Sequence, residues 1–537
     1  MTNLIIRTED IKPEHISELY VETSQDRKTV ELLKSPTPII IEGSRGTGKS
    51  FLLRVAEMQL SDSFASEHVL PVYVTFARSS LLQTNDPNQF THWMMAKLCS
   101  RVMRCMYQRG LLVPANGALK ILTGGNIGPD FGETPLESLA EKYEQSYRNP
   151  SATIDPSSIP TVDDFRDAIE DICRERGISR IAVFFDEAAH IFRPEQQRQF
   201  FTIFRDLRSP YLTCNAAVYP GVTFYGQTFQ ATHDATIVAL NRDPVDPQYL
   251  DNMREIILKQ ADSELASNVE KNPLSFEALA YAVSGNPRLL LKTVQRSPRL
   301  LLTEVRGILK EFYRTEIWSE HTSLSERYSG HRAFIDWGRE FIEKVIIPDA
   351  LRKNELWALE GKKETTCYFW IHRDAPAAVA EALRLLSYTG IVTRLDSGIV
   401  ATRRETGTRF AINLGCLAAA TADPIQTLTT IWPGLSIKRF SEYGANYPVF
   451  GALTTVVGQF QEPDMSAALQ RALAKSIDVL DLTEHQSSGL RSINIDTVGA
   501  ALQASEMEFQ RISYIGPKRS RRMMNVVVAS VLEYLSG

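Results

Sequence analysis

The sequence has few features of a secreted, membrane or metal-cluster protein. Its six cysteines form no CxxC pair and are scattered along 537 residues, which argues against a zinc site and against a disulfide framework. No apolar run approaches the roughly 18 residues that a membrane-spanning helix needs, and the first residues, MTNLIIRTEDIKPEH, lack the layout of a signal peptide. We therefore expect a cytoplasmic protein with reduced thiols and no membrane contact.

A strong excess of charge is also missing. The net charge of −5 gives no overall attraction to nucleic acid, so any DNA contact must come from local basic patches. The share of charged residues, 23%, is that of an ordinary globular protein. The length predicts about three or four domains.

What the sequence does contain is the stretch IIIEGSRGTGKS, which begins at Ile39. An apolar strand leads into the spacing GxxxxGKS from Gly43 to Ser50, and a helix with an apolar face follows. This context favours a P-loop, in which glycines let backbone N–H groups point at a polyphosphate, over a plain glycine-rich turn. Lys49 would reach the β- and γ-phosphates and the Ser50 hydroxyl would bind Mg²⁺. The predicted nucleotide-binding residues are Gly43, Ser44, Arg45, Gly46, Thr47, Gly48, Lys49, Ser50 and Phe51.

A pair of acids follows another apolar run, IAVFFDE, at Ile181–Glu187. A buried strand would deliver Asp186 beside the Mg²⁺, where it binds through water, and Glu187 would orient and deprotonate the attacking water. The alternative is a strand that merely stops at a solvated turn. The P-loop at a suitable separation favours the functional interpretation, which predicts hydrolysis of a nucleoside triphosphate with ATP and Mg²⁺ as cofactors and with Ser50 and Asp186 at the metal.

Two further segments extend this pattern. The sequence SGNPRLL, at Ser284–Leu290, predicts a glycine turn and a helix that carries Arg288 in its first turn. A guanidinium there could fold back over the nucleotide from a separate small domain. Residues 110–160 are rich in Gly, Pro, Ser and Asn, so we predict an insertion that is helical around Leu136–Tyr147 and otherwise a loop.

The motifs GSRGTGKS, FFDE and GNPR, in this order, resemble an AAA+ ATPase of the initiator clade, which includes origin-recognition and cell-division-cycle ATPases. The resemblance covers roughly residues 1–420. It implies an α/β fold with a P-loop parallel-sheet AAA+ core, followed by a helical lid and then a winged-helix domain. It also implies that Lys49, Glu187 and Arg288 are catalytic, with Arg288 as the second sensor.

The chain departs from that family at one point. Members that hydrolyse ATP between subunits carry an arginine finger after the sensor strand, yet Gly221–Leu240 contains no arginine. Arg205, Arg208 and Arg242 are candidate substitutes, although arginines near helix ends also stabilise the helix itself. Whether the chain forms a homo-oligomer therefore stays open.

The C-terminal half carries two candidate DNA-binding modules. The helix predicted at Ala375–Tyr388, followed by a predicted β-hairpin with a turn at Asp396–Gly398, has the layout of a winged helix. The segment from Asp478 to Leu535, with its motif ISYIGPKRS, resembles the helix-hairpin-helix domain of the RNA polymerase α subunit, but His485 and Ser488 stand where that family has its DNA-contacting arginine and asparagine. The predicted DNA contacts are Arg403, Arg404, Arg409, Gly516, Lys518 and Arg519.

These observations predict a P-loop core over residues 1–243, a helical lid over 244–350, a winged helix over 351–420, a helical linker over 421–475 and an all-α helix-hairpin-helix domain over 476–537. The predicted function is an ATP-hydrolysing AAA+ switch that binds double-stranded DNA through its C-terminal modules. The alternative is a nucleotide-gated regulatory or anti-phage defence ATPase whose C-terminal modules dock a protein partner. A metabolic kinase is disfavoured because the chain offers no acceptor-substrate motif.

Overall fold

The computed structural model describes residues 4–82, 86, 88–111, 117–125, 132–149, 153–188, 194–221, 223, 225–226, 228–327, 329–402, 404–453 and 467–532. The chain divides into two compact units. The first unit is Ile5–Tyr219 with Thr223–Asn241, and the second consists mainly of the chain from Arg242 onward. Over the described residues, no helix combines the length and the apolar character that crossing a membrane requires.

The first unit is built on a parallel sheet of five strands. Four of the strands are almost entirely buried, as in the run Ile39-Ile40-Ile41, which is typical of strands that are covered on both faces. The edge strand Thr236–Ala239 is mostly exposed. The strands are β1 (Ile39–Glu42), β2 (Val69–Thr75), β3 (Arg180–Asp186), β4 (Leu212–Val218) and β5 (Thr236–Ala239). They lie in the order β2-β3-β4-β1-β5, and every neighbouring pair is parallel.

Helices cover both faces of this sheet. Because successive strand residues point to opposite faces, Ile39 and Ile41 belong to one buried cluster with Leu53, whereas Ile40 belongs to another with Met94. The α-helices of the unit are Ile16–Leu19, Ser24–Lys34, Lys49–Asp62, Phe64–Glu67, Gln89–Gln108, Gly117–Thr123, Pro135–Glu144, Val162–Arg176, Pro194–Asp206 and Ala231–Asp234. Short 3-10 turns occur at Thr8–Asp10, Pro13–His15, Ser79–Leu81 and Ser146–Arg148.

The described helices of the predicted insertion are packed into the core of this unit. The insertion contains the helices Gly117–Thr123 and Pro135–Glu144, of which only the second was predicted. Glu144 at the end of the second helix is 3% exposed. It accepts hydrogen bonds from Lys97 at 2.7 Å and from Arg78 at 2.8 Å, so a buried carboxylate ties the insertion to the rest of the unit. The fully buried apolar residues of the insertion include Leu122, Leu136 and Tyr143.

The second unit begins with a long helical region. Its α-helices are Tyr249–Leu258, Ser263–Lys271, Pro273–Ala282, Pro287–Arg296, Leu302–Glu311, Trp318–Arg327, Arg332–Phe341 and Ile347–Leu359. Two π-helical segments, Phe312–Ile317 and Ile342–Ile346, continue directly into the helices that follow them.

A second sheet of four strands follows. The strands are β6 (Tyr368–His372), β7 (Val392–Val400), β8 (Thr406–Ile412) and β9 (Ser441–Tyr443). They lie in the order β7-β8-β6-β9; β8 is antiparallel to both β6 and β7, and β6 is parallel to β9. The helix Ala377–Thr389 precedes the β7–β8 hairpin and ends at Gly390, whose φ is 77°.

Two expectations for this region were wrong. The predicted turn at Asp396–Gly398 lies inside β7, because Ser397 pairs with Thr408 of β8 through a register shift; cross-strand pairing here outweighs the local turn propensity. In addition, β9 comes from the predicted linker, so that segment contributes a strand to the sheet. Residues 454–466 of the same predicted linker lie outside the described residues.

The remaining described part of the chain is mainly helical. The α-helices are Leu414–Ala419, Pro424–Ile431, Ala467–Leu473, Glu484–Ser492, Val498–Gln503, Glu506–Phe509 and Pro517–Leu532. Short 3-10 turns lie at Trp432–Gly434, Pro448–Phe450 and Ile477–Val479.

Candidate nucleotide-binding site

The loop after β1 has the glycine geometry that a phosphate-binding turn needs. Gly46 and Gly48 have φ values of 90° and 97°, a left-handed conformation that is strained for residues with a Cβ. Space is limited at Gly43, where a Cβ would lie 2.5 Å from Thr47 Oγ1. Larger residues would therefore disturb either the conformation or the packing of this turn.

Lys49 is the first residue of the helix that follows the loop, and it is only 6% exposed. Its Nζ donates hydrogen bonds to the carbonyl oxygens of Gly43 at 2.6 Å and Ser44 at 2.9 Å. The same atom lies 4.0 Å from the centroid of the Tyr219 ring, directly after β4. The ammonium group is thus held at the loop, where it offers N–H donors and a positive charge to an anion.

The other predicted loop residues support the turn or its surroundings. The Thr47 hydroxyl donates to the Ser44 carbonyl oxygen at 3.0 Å, and Arg45 is exposed. The Phe51 ring centroid lies 6.3 Å from that of Tyr20. The N-terminal segment therefore contacts the first turn of the helix that carries Lys49.

Asp186, the last residue of β3, lies beside Ser50. Ser50 Oγ donates to Asp186 Oδ1 at 3.1 Å, although 136 positions separate the two residues in the sequence. The backbone N–H of Glu187 donates to the same oxygen at 2.9 Å, and the Tyr73 hydroxyl donates to Oδ2. Asp186 is 5% exposed, so these donors compensate for the loss of water around its carboxylate.

Glu187 has an unusual backbone conformation, with a φ of 59°. Such left-handed residues with a Cβ are uncommon and concentrate at functional sites. The Thr75 hydroxyl donates to Glu187 Oε2 at 3.4 Å. Burial, together with the neighbouring carboxylates of Asp186 and Glu9, raises the pKa of Glu187 to about 7. A carboxyl group with this pKa is suited to accept a proton near neutral pH.

Sequence reasoning missed Tyr73 and Thr75, which contact the two acids. In the parallel pair of β2 and β3, Thr75 lies opposite Asp186 and Tyr73 lies opposite Phe184, so the four side chains share one face of the sheet. The available signal was the polar residue at the end of β2. It could not be used because the sequence does not say which strand neighbours β3.

The donor set fits a magnesium nucleotide. Mg²⁺ prefers oxygen ligands and usually keeps several waters, and Ser50 Oγ and Asp186 Oδ1 provide two oxygens 3.1 Å apart. Over the part of the chain that the structure describes, no group of three or more His, Cys, Asp or Glu side chains could hold a metal by itself. A cation here would therefore take most of its ligands from water and from the phosphates of a nucleotide.

Arg288 lies in the second unit, in the first turn of the helix Pro287–Arg296. The Asn286 side chain caps this helix. The preceding turn is anchored because the backbone N–H of Gly285 donates to the buried Tyr249 hydroxyl at 2.8 Å. The predicted helix start is therefore observed, and the role of Arg288 as a second sensor stays a prediction.

The predicted wing residues differ in their surroundings. Arg403 lies outside the described residues, whereas Arg404 is exposed in the hairpin turn with a φ of 59°. Arg409 is 9% exposed, donates to the Ile437 carbonyl oxygen at 2.8 Å and forms an ion pair with Asp396. This environment does not favour the predicted phosphate contact of Arg409, because its donors serve partners within the second unit.

The predicted hairpin residues are more accessible. Gly516 directly precedes the helix Pro517–Leu532, and a Cβ at this position would meet no heavy atom within 4 Å. The Lys518 side chain is 70% exposed, and its Nζ lies 3.9 Å from the Asp374 carboxylate. Arg519 donates to a carbonyl oxygen of the preceding turn at 2.8 Å. The turn and the exposed lysine form the more accessible of the two candidate phosphate sites.

The parallel strand order, the glycine loop and the contact between Ser50 and Asp186 form the arrangement that is expected of a P-loop NTPase core. A family model described as ORC-CDC6-like matches residues 5–89, the part of the chain that contains the loop. Over this segment the match confirms the resemblance to initiator-clade AAA+ ATPases. No curated protein matches the chain.

Several solved structures are similar to this chain at low sequence identity. The Aeropyrum pernix ORC1 protein in complex with DNA is 16% identical, with 78% of this chain and 95% of that chain covered and a TM-score of 0.30. The Aeropyrum pernix ORC2 protein, in ADPNP–ADP complexes, is 12% identical over 76% and 94% of the two chains with a TM-score of 0.33. AMPPCP-bound DnaA from Aquifex aeolicus is 13% identical over 63% and 84%, with a TM-score of 0.27.

Proposed function

We propose that this protein is an AAA+ switch that binds and hydrolyses ATP and that binds DNA through its C-terminal modules. The observation that carries the nucleotide part is the 3.1 Å hydrogen bond between Ser50 Oγ and Asp186 Oδ1. Two motifs that lie far apart in the sequence thereby form one site beside Lys49.

Each group of the site has a chemical role in this proposal. Backbone N–H groups of the loop between Gly43 and Lys49, together with the Lys49 ammonium, bind the β- and γ-phosphates, supported by the dipole of the following helix. Ser50 and Asp186 would hold Mg²⁺, which would supply positive charge against the phosphates. Glu187 accepts a proton from the attacking water, and its raised pKa of about 7 supports this role.

The second unit supplies the proposed response to the nucleotide. Arg288 is the proposed second sensor, and its helix starts from a turn that Tyr249 and Gly285 fix by a 2.8 Å hydrogen bond. A nucleotide shifts a conformational equilibrium only by its difference in affinity for the two states, so a switch requires unequal binding by a few kcal/mol.

The DNA part of the proposal rests on accessible basic groups. Lys518 beside the open Gly516 turn and the exposed Arg404 in the β7–β8 hairpin are the proposed phosphate contacts, with Arg519 next to the first. Arg409 is left out because it is buried and paired with Asp396. The helix and hairpin over Ala377–Ile412 support a winged helix, and the short helices from Glu484 support a helix-hairpin-helix module.

The ORC-CDC6-like match favours the initiator-type switch over the defence platform that docks a protein. The full-length protein tests this directly through ATP turnover and through binding to a fluorescent duplex over a salt series, with and without ATP. We expect saturable hydrolysis and a DNA affinity that falls steeply as salt rises. Absence of nucleotide binding would refute the nucleotide part, and DNA binding that ignores salt, or is absent, would refute the DNA part.

A further inference from the structure

The carboxylate of Asp186 is fixed at both of its oxygens. Oδ1 accepts from Ser50 Oγ at 3.1 Å and from the Glu187 backbone N–H at 2.9 Å. Oδ2 accepts from the hydroxyl of Tyr73, on the neighbouring strand β2. With donors on both sides, the carboxylate has one preferred rotation about its Cβ–Cγ bond.

We propose that Tyr73 is a positioning residue for the magnesium site: its hydroxyl holds Asp186 Oδ2 so that Oδ1 faces Ser50 and the cation. This inference rests on the proposed function, since it assumes that Asp186 serves a magnesium nucleotide. It adds a residue outside the P-loop and outside the acid pair, delivered by a strand that carries neither motif.

The hydroxyl is not needed for packing. The Tyr73 side chain is 5% exposed and belongs to the buried cluster that also contains Phe184, its partner in register. A phenylalanine would fill the same space, whereas a buried hydroxyl costs free energy unless it is hydrogen-bonded. The observed bond to Asp186 compensates for that cost. Burial and the neighbouring Asp186 raise the pKa of Tyr73 well above its usual 10, so the phenol remains a proton donor at neutral pH.

The ring itself is held from the P-loop helix. The Arg54 guanidinium carbon lies 3.4 Å from the centroid of the Tyr73 ring, and Arg54 Nη1 donates to Glu57 at 2.8 Å. On the strand side, Arg101 Nε donates to the Tyr73 carbonyl oxygen at 3.1 Å. Tyr73 is thus fixed at its ring and its backbone, which is what a positioning residue requires.

The test measures nucleotide affinity as a function of Mg²⁺ in the full-length protein. A fluorescent ATP analogue is titrated into wild type, Tyr73→Phe and Asp186→Asn, once with chelator and once over a series of Mg²⁺ concentrations. For Tyr73→Phe we expect the half-saturating Mg²⁺ concentration to rise about five- to tenfold, which corresponds to the loss of one typical intramolecular hydrogen bond. The affinity in chelator stays unchanged, because the phosphate loop is intact.

Tyr443→Phe is the matched control. Tyr443 is also buried, at 3% exposure, and its hydroxyl donates to the Asp349 carboxylate at 3.2 Å in the second unit. We expect its Mg²⁺ curve to coincide with that of wild type. A Tyr73→Phe curve that coincides with wild type, or an equal loss of affinity with and without Mg²⁺, would overturn the positioning role.

Asp186→Asn separates this failure from failure of the proposed function. If it shifts the Mg²⁺ curve while Tyr73→Phe does not, the magnesium site stands and only the positioning role is wrong. If wild type binds no nucleotide, or if Asp186→Asn leaves the Mg²⁺ curve unchanged, the proposed site itself is wrong.

Discussion

The two sets of charged residues that the sequence singled out differ in environment, because the first is uniformly buried and the second is mixed. At the candidate nucleotide site, Lys49 and Asp186 are 6% and 5% exposed, and each is held by several hydrogen bonds. In the C-terminal modules, the Lys518 side chain is 70% exposed, and Arg409 is buried against a partner. Burying charges is costly, so their convergence points to a function, whereas an exposed lysine is ordinary on any soluble protein.

Replacing Glu187 by glutamine tests the buried side of this comparison most strongly. An amide cannot accept the proton of the attacking water, so we expect ATP hydrolysis to slow by about 100- to 10,000-fold. Nucleotide affinity should stay near that of wild type, since the phosphate loop is unchanged. Phosphate release and equilibrium binding measure the two effects, and normal turnover would exclude Glu187 as the base.

Lys49→Ala removes the buried ammonium and should weaken ATP binding by about 100-fold, the equivalent of two hydrogen bonds from a charged group. Equilibrium binding of a fluorescent ATP analogue measures the loss. Lys28→Ala, at an exposed position on the helix Ser24–Lys34, is the control and should bind as wild type does. Equal affinity of both variants would contradict the phosphate-binding role.

The raised pKa of Glu187, about 7, predicts how hydrolysis depends on pH. The base must be deprotonated, so its active fraction rises with pH, and kcat/KM should increase about tenfold between roughly pH 6 and 8. Because kcat/KM reports the ionisation of the unliganded enzyme, it is the parameter to measure. The residual activity of Glu187→Gln should lack this rise. A flat wild-type profile would show that ionisation of Glu187 does not control kcat/KM.

On the exposed side, Lys518→Ala should weaken DNA binding by a few-fold at low salt and reduce the slope of log affinity against log salt by about one. Fluorescence anisotropy with a labelled duplex gives both numbers. Lys438→Ala changes an exposed lysine before β9 and is the matched control. An unchanged slope in Lys518→Ala would place DNA contacts elsewhere or remove them.

Arg409→Ala should have the smallest effect on DNA. Its donors serve Asp396 and the Ile437 carbonyl oxygen, so we expect an unchanged salt slope and a free energy of unfolding lower by about 1–3 kcal/mol. Urea unfolding measures the second quantity. A loss of DNA affinity without a loss of stability would reverse the assignment and make Arg409 a phosphate contact after all.

The geometry of the candidate nucleotide site was predictable because its residues lie in short, ordered stretches. The loop from Gly43 to Ser50 and the strand that ends at Asp186 each carry their own secondary-structure signal, and parallel strands bring their carboxyl ends to one edge. Tyr73 and Thr75 were not predictable in the same way. Their roles depend on β2 being the neighbour of β3, which is a property of the sheet and not of any local pattern.

The second sheet also depends on strand pairings that local sequence patterns do not predict. The turn signal at Asp396-Ser397-Gly398 is strong locally, yet β7 continues through it because β8 supplies hydrogen-bonding partners on one side. No local pattern around Ser441 predicts that β9 pairs with β6, which lies far away in the sequence. The burial of Arg409 also depends on its partner Asp396 and not on its sequence neighbours.

The buried Glu144 has a practical consequence for shortening the chain. Deleting residues 110–160 as though they were a surface extension would remove an acid that also accepts a hydrogen bond from the buried indole of Trp93, at 3.3 Å. Lys97 and Trp93 would then lose their shared acceptor, and the apolar residues beneath the insertion would meet water. A chain trimmed in this way would therefore be expected to aggregate before any ATP turnover could be measured.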